Sequence, residues 1–281
     1  MIVAVTGPTG GIGLDLIESL IERGDQVIAI TNPNSLRNSK IPKSKHVQII
    51  ECEMSNYTCL MGKYRCDIFY HLAWSNTSGS GRDDVRIQLA NISNTLDAVD
   101  LAVSWGAKIF VGTGSQAEYG ISTEPLNERT PVNPISGYGI AKYSAGKLCH
   151  LYCEQKGIIF KWARILSVFG VNDSKNTLIL YVIDTLLKGI SPELTKCEQI
   201  WDYIYSKDCA EALIVIGDKG VDGYTYCVGS GKPRLLKEFV VSIRDMIDPS
   251  IDLNFGAKEY YPHQPMMLCA DITELVHDTN F

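Results

Sequence analysis

"TGPTGGIG" (Thr6–Gly13) is the stretch on which the fold turns. It follows "IVAVT" (2–6), an apolar β-branched run that reads as a buried strand. It precedes a segment in which Leu16, Ile17, Leu20 and Ile21 recur at helical spacing until Gly24 stops them. Gly7, Gly10 and Gly13 therefore sit in a strand-to-helix turn. Gly7 permits the tight turn, Gly10 lets the backbone approach a pyrophosphate, and Gly13 lets the helix pack on the sheet. The free N–H groups and partial positive charge of the helix start would face that anion. The turn predicts a dinucleotide site.

Outward from the turn the alternation continues. "QVIAIT" (26–31), "VQIIEC" (47–52), "CDIFYHLA" (66–73), "AKIFVGT" (107–113) and "IIFKWARIL" (158–166) read as strands. A long helical pattern over Val85–Trp105 and a second helix carrying Tyr138 separate the later ones. This predicts an α/β, Rossmann-type, doubly wound parallel sheet over residues 1–170. Beyond Gly170 the segments shorten and Pro192, Pro233, Pro262 and Pro265 interrupt them. Residues 171–281 are expected to form a smaller substrate-binding α/β domain, with part of 197–212 returning to the first.

The net charge of −6 and the dispersed Lys and Arg give no footprint for nucleic acid. The five histidines make no ligand spacing, and no apolar run reaches the length of a membrane span. Nine cysteines, none in a Cys-x-x-Cys pair, read as reduced thiols in a cytoplasmic protein. Cys149 and Cys153 are four apart on a helix, but no second ligand pair accompanies them, so no metal is expected. The strand begins at once, which leaves no room for a targeting peptide, and "DTNF" (278–281) does not read as a finished domain end.

Specificity for the cofactor is set at the end of the second strand, where a carboxylate would bind ribose hydroxyls and repel a 2′-phosphate. Here Thr31 and Asn32 stand, followed by Ser35 and Arg37. NADP is expected to be preferred, with NAD the alternative if Arg37 is an ordinary solvated loop residue.

"SGYGIAK" (136–142) places Tyr138 and Lys142 four apart, neighbours on one helix face. A phenol of pKa about 10 trades protons poorly near neutrality, and an ammonium close by would lower that value. Ser115, in "GTGSQAEYG" (112–120), leaves the sheet at its carboxyl edge and can hold a substrate oxygen beside Tyr138. Thr113 is a competing hydroxyl.

"TGPTGGIG", "YHLAW" (70–74), Asn91, "GSQAEYG", "YGIAK", "RILSVFG" (164–170), "WDYIYSKD" (201–208) and "CVGSGKP" (227–233) come in the order of the extended short-chain dehydrogenase/reductases. Nearly the whole chain resembles this NAD-dependent epimerase/dehydratase family, which acts on nucleotide sugars. The resemblance implies Ser115, Tyr138 and Lys142 as catalytic residues. It implies Gly7, Thr9, Gly10, Gly11, Ile12, Gly13, Leu72, Ala73, Trp74 and Ile165 as cofactor contacts. Glu53 and Met54 join them from "ECEMS" (51–55), where the family usually has Gly-Asp-Leu. Ser75, Ser115, Gln116, Ser167 and Trp201 fall on substrate positions.

The departures narrow the activity. The family's dehydratases carry Asp-Glu after the catalytic hydroxyl, whereas Gln116-Ala117 stand here. Ser167 replaces an asparagine, and Trp201 replaces an arginine that touches the diphosphate. The expected activity is reduction of a nucleotide-linked 4-keto sugar. The alternatives are a sugar 4-epimerase with tightly held NAD and, less favoured, a non-catalytic cofactor sensor. Members of this fold commonly form dimers, and "AVDLAVSWG" (98–106) with "YSAGKLCHLYC" (143–153) are the candidate contact stretches. Glu118 matches no family role and reads as structural or solvated.

Overall fold

The computed structural model describes residues 1–174, 176–261 and 264–281, so Pro262 lies outside the described residues. The apolar runs become β1 (Ile2–Thr6), β2 (Gln26–Thr31), β3 (Val47–Glu51), β4 (Ile68–His71), β5 (Ile109–Ser115) and β6 (Ile159–Ile165). Alternating side chains bury both faces: Val3 and Val5 join one core, and Ala4 joins the other. Helices α1 (Gly11–Glu22), α2 (Val85–Ser104) and α3 (Gly137–Lys156) connect them. Ser136 starts α3 by accepting from Gly139 N, and Gly157 ends it at φ +69°.

The remaining strands are β7 (Ser167–Phe169), β8 (Glu193–Leu194), β9 (Ile200–Trp201), β10 (Tyr203–Tyr205), β11 (Thr225–Val228), β12 (Arg234–Leu235), β13 (Asn254–Phe255) and β14 (Met267–Leu268). The remaining helices are α4 (Leu178–Leu186), α5 (Ser206–Lys219), α6 (Leu236–Ile247) and α7 (Thr273–Thr279). The seven-stranded sheet runs β3-β2-β1-β4-β5-β6-β11, all parallel. Its order reverses between β1 and β4, which places a crevice at their carboxyl ends. One face carries α1 and α5, the other α2 and α3.

The smaller unit packs α4 against α6 around Val182, Leu186, Leu194, Leu236 and Val240. The chain returns to the sheet more fully than the prolines suggested. Not only part of 197–212 but all of α5, β11 and α7 build the first unit, and Phe281 packs on its core. The physical reason is that β11 spans only four residues, so its sequence carries too little periodicity to announce a strand. Asp202, fully buried, joins the units at their seam. Its carboxylate accepts from the amides of Ser230, Gly231 and Ala270. Among the described residues no helix is long and apolar enough to cross a membrane.

Candidate active site

The glycine turn is a cradle that side chains would fill. Gly7 has φ +68°, and a Cβ there would lie 2.7 Å from Ala73 N. A Cβ on Gly13 would collide with the Gly7 carbonyl. Gly10 precedes α1 without any side-chain cap, so the first amides of the helix stay open to an anion. The crevice beside them holds two adjoining cavities of about 280 and 630 Å3, which share Gly7, Gly10, Leu72, Trp74 and Thr77. Gly11, Ile12, Gly13, Tyr138, Lys142 and Ile165 line the first. Thr9, Asn32, Arg37, Glu53, Met54, Ala73 and Ser75 line the second. Open helix amides, a glycine floor and this elongated double cavity fit a dinucleotide.

At the far end of the second cavity no carboxylate ends β2. Thr31 donates its hydroxyl to Asn38 at 2.6 Å, and Asn38 in turn donates to the Asn32 carbonyl at 3.0 Å. Arg37 is not a solvated loop residue: its Nη2 donates to Asn172 O at 2.6 Å, and its Nε is buried without a partner. Lys40 reaches the Asn172 side chain at 3.3 Å. Together they tie the segment after β7 over the start of α1. Among the described residues lining that cavity the acid is Glu53, which accepts from Asn34 Nδ2 at 3.2 Å.

At the other end, β5 runs on to Ser115 and so delivers that side chain to the start of α3. Tyr138 is buried and hydrogen-bonded to Ser115. Burial dominates and holds its phenol above the ordinary value, while the Ser115 bond and the Arg82 guanidinium pull the other way. Lys142 is buried too, and burial pushes it down to about 7, opposed by Glu118. Its Nζ donates to Thr113 O at 2.8 Å and lies 3.8 Å from the Trp74 ring centre. Lys142 is therefore aimed at the strand and the indole, 5.9 Å from the Tyr138 ring centre, and burial, not the ammonium, leads the tyrosine's shift.

Glu118 is wholly buried. It accepts from Ser115 N at 2.9 Å and Trp162 Nε1 at 3.1 Å, and pairs with Arg164 at 2.7 Å. It is structural, as its lack of a motif role suggested, but a buried charge rather than a solvated one. It locks the turn that carries Ser115.

Residues 3–229 match the family described as "NAD dependent epimerase/dehydratase family". The chain belongs to this family. It is 31% identical to the CDP-abequose synthase of Salmonella typhimurium over 96% of this chain and 89% of that one. It is 28% identical to a putative UDP-glucose 4-epimerase of Methanocaldococcus jannaschii, covering 76% and 72%. Among solved structures, the UDP-N-acetylglucosamine 4-epimerase of Methanobrevibacter ruminantium M1, in complex with UDP-N-acetylmuramic acid, superposes with a TM-score of 0.89. The identity is 25%, over 99% of this chain and 91% of that one.

Two of this chain's departures from the epimerase/dehydratase pattern meet in space. Trp201 Nε1 donates to Ser167 Oγ at 2.7 Å, although 34 residues separate them. Where the family offers an arginine and an asparagine, this chain offers an indole pinned by a hydroxyl. Trp201 lines a third cavity of about 440 Å3 with Tyr181, Gln199 and Lys258. Gln116 is half-buried at the start of the turn after β5. Ser75 sits on the dinucleotide side, where Asn91 holds both its amide and its carbonyl.

Sequence reasoning passed over Thr77, Asp173 and Ser206, which line the first cavity, and Arg82, which stacks over Tyr138. Ser206 lies within the "WDYIYSKD" block but was given no role there, and Thr77, Asp173 and Arg82 lie in no recognisable motif. The acid at Glu118, three residues after Ser115, carried a further local signal, that of a capping box.

Proposed function

We propose that this family member is an NADPH-dependent reductase of a 4-keto sugar carried on a nucleoside diphosphate. The observation that carries the reading is the end of β2: Thr31 and Asn32 offer no acid, and Arg37 borders the same cavity. Gln116-Ala117 in place of the dehydratases' acid pair argues against loss of water. The bound cofactor supplies hydride to the keto carbon. Tyr138 gives its proton to the forming alkoxide, Ser115 orients the carbonyl, and Lys142 holds the ribose and supports the phenol. Trp201 and Ser167 take the sugar-nucleotide side, with the indole stacking where the family has a cation.

A second reading, an NDP-sugar 4-epimerase that keeps NAD bound, draws support from the Arg37 and Lys40 contacts that hold Asn172 over the cofactor crevice. Dialysis separates the two. A reductase releases its dinucleotide, and an epimerase retains it. Titration of NADPH and NADH by fluorescence, in wild type and Arg37→Ala, tests the cofactor preference. Equal affinities unchanged by the substitution would overturn the NADP reading.

The same proposal includes a homodimer in the cytoplasm. Nine free cysteines support a reducing compartment. Leu89, Leu148 and Leu151 leave apolar area on the outer faces of α2 and α3. Residues 98–102, by contrast, are spent largely on the chain's own core, so the α3 stretch is the stronger candidate contact. Leu151→Glu should convert a dimer to a monomer in light scattering.

A further inference from the structure

The Tyr-x-x-x-Lys spacing assigns Lys142 the task of stabilising a tyrosinate, but the geometry gives Tyr138 a second cation. Arg82 places its guanidinium carbon 4.7 Å from the Tyr138 ring centre. It comes from the turn Ser80–Asp83, which precedes α2. That turn is fastened on both sides of the arginine. Asp83 accepts from Gly137 N at 2.7 Å, and so ties the turn to the first residue of the tyrosine's own helix. Asp84 caps α2 through the amides of Arg86 and Ile87. Gln88, buried, donates to the carbonyls of Asn76 and Gly81 and also receives the Trp74 indole N–H. A Cβ on Gly137 would come within 3.3 Å of the Asp83 backbone, so the turn and α3 are in close contact.

The charged groups facing Tyr138 from its neighbours are few. Glu118, from the turn after β5, opposes a phenolate but is paired with Arg164. Asp83 is engaged by the Gly137 amide. Lys142 points to Thr113 O and the Trp74 ring. Among the described residues no ion pair engages Arg82. A guanidinium stays charged at every working pH, whereas a buried ammonium loses its proton readily. A cation over an aromatic face is attracted to the ring, and more so once the ring carries the phenolate's charge.

We propose that Arg82 is a positioning residue whose guanidinium stabilises the Tyr138 phenolate, a task that the sequence pattern alone gives to Lys142. The inference rests on the reading of Tyr138 as proton donor, and it requires no knowledge of the substrate to test. Ultraviolet difference titration of wild type against Tyr138→Phe isolates this one phenol. In Arg82→Gln, measured against the matching double variant with Tyr138→Phe, the phenolate fraction at a given pH should fall roughly tenfold. Arg82→Lys should recover part of that loss, and a merely structural arginine would not give this pattern. A midpoint unchanged in Arg82→Gln overturns the proposal. Should Arg82→Gln unfold, the Arg82→Lys titration decides: no shift toward wild type relative to Lys142→Met, which removes the other cation, would also overturn it. Full turnover in Tyr138→Phe would instead refute the proton-donor reading, and the titration would still report whether the two side chains are coupled.

Discussion

The turn over residues 7–13 is built from one unbroken stretch, whereas the cavity around Trp201 is walled by residues from 176–181, 193–203, Leu236, Lys258, Tyr261 and Gln264. In the first region backbone conformation is the instrument: glycines make room, and helix amides supply the charge. In the second, two-residue strands give almost no backbone ladder. Side chains compensate, through the Asp202 carboxylate at the seam and the Trp201–Ser167 bond. A site made by local backbone geometry tolerates changes elsewhere in the chain. A site made by long-range side-chain bonds fails when one partner goes.

Perturbations of each region should expose this difference. Tyr138→Phe, in the cavity that the glycine turn borders, removes only a hydroxyl, so turnover should drop about 10²–10⁴-fold with the thermal midpoint nearly unchanged. Steady-state kinetics beside calorimetry checks this, and near-normal turnover would sink the assignment. Glu118→Gln should cost stability instead, about 3–5 kcal/mol, because Arg164 would be left buried without its counter-charge. Denaturant unfolding measures that loss. Asp202→Ala should cost about 2–3 kcal/mol by leaving three amides of two separate segments, Ser230–Gly231 and Ala270, unpaired. Hydrogen exchange should show that protection is lost first in the smaller unit. Equal loss across the sheet would show that Asp202 does not act at the seam.

The smallest effect concerns Lys142, and its sign depends on pH. Burial lowers this amine to about 7 in the folded chain, against about 10.4 for an unperturbed lysine. Between those values the unfolded chain holds the extra proton, so this contribution to stability grows as pH rises from 7 and is lost again as pH falls through 7. Lys142→Met should flatten that rise in stability and leave the fold at least as stable at neutral pH, while weakening cofactor binding. An identical pH slope in wild type and variant would place the proton elsewhere.

The legible part of the molecule is the part whose cause is local. The glycine pattern announces a strand–turn–helix, with Gly7 and Gly13 needed by their own backbone, and the apolar runs announce strands buried on both faces. From these alone the parallel sheet and the crevice at its carboxyl edge could be placed, while the expectation that Ser115, Tyr138 and Lys142 act together came from their own motifs and the family resemblance. Four-residue spacing on a helix likewise fixes that Tyr138 and Lys142 share a face. What spacing leaves open is where each side chain points once the neighbouring elements arrive. Trp74 and Thr113 drew Lys142 aside, and the turn before α2 brought Arg82 over the tyrosine. Asn172 captured Arg37 from a distance of 135 residues, and Ser167 found Trp201 from 34 residues away, in a different sheet. The return of β11 and α7 to the first unit belongs to the same class. The sequence by itself determined backbone form, because period and glycine placement act within a few residues. Only the tertiary structure decided which charges meet, because burial and pairing depend on partners that the chain's order does not bring together.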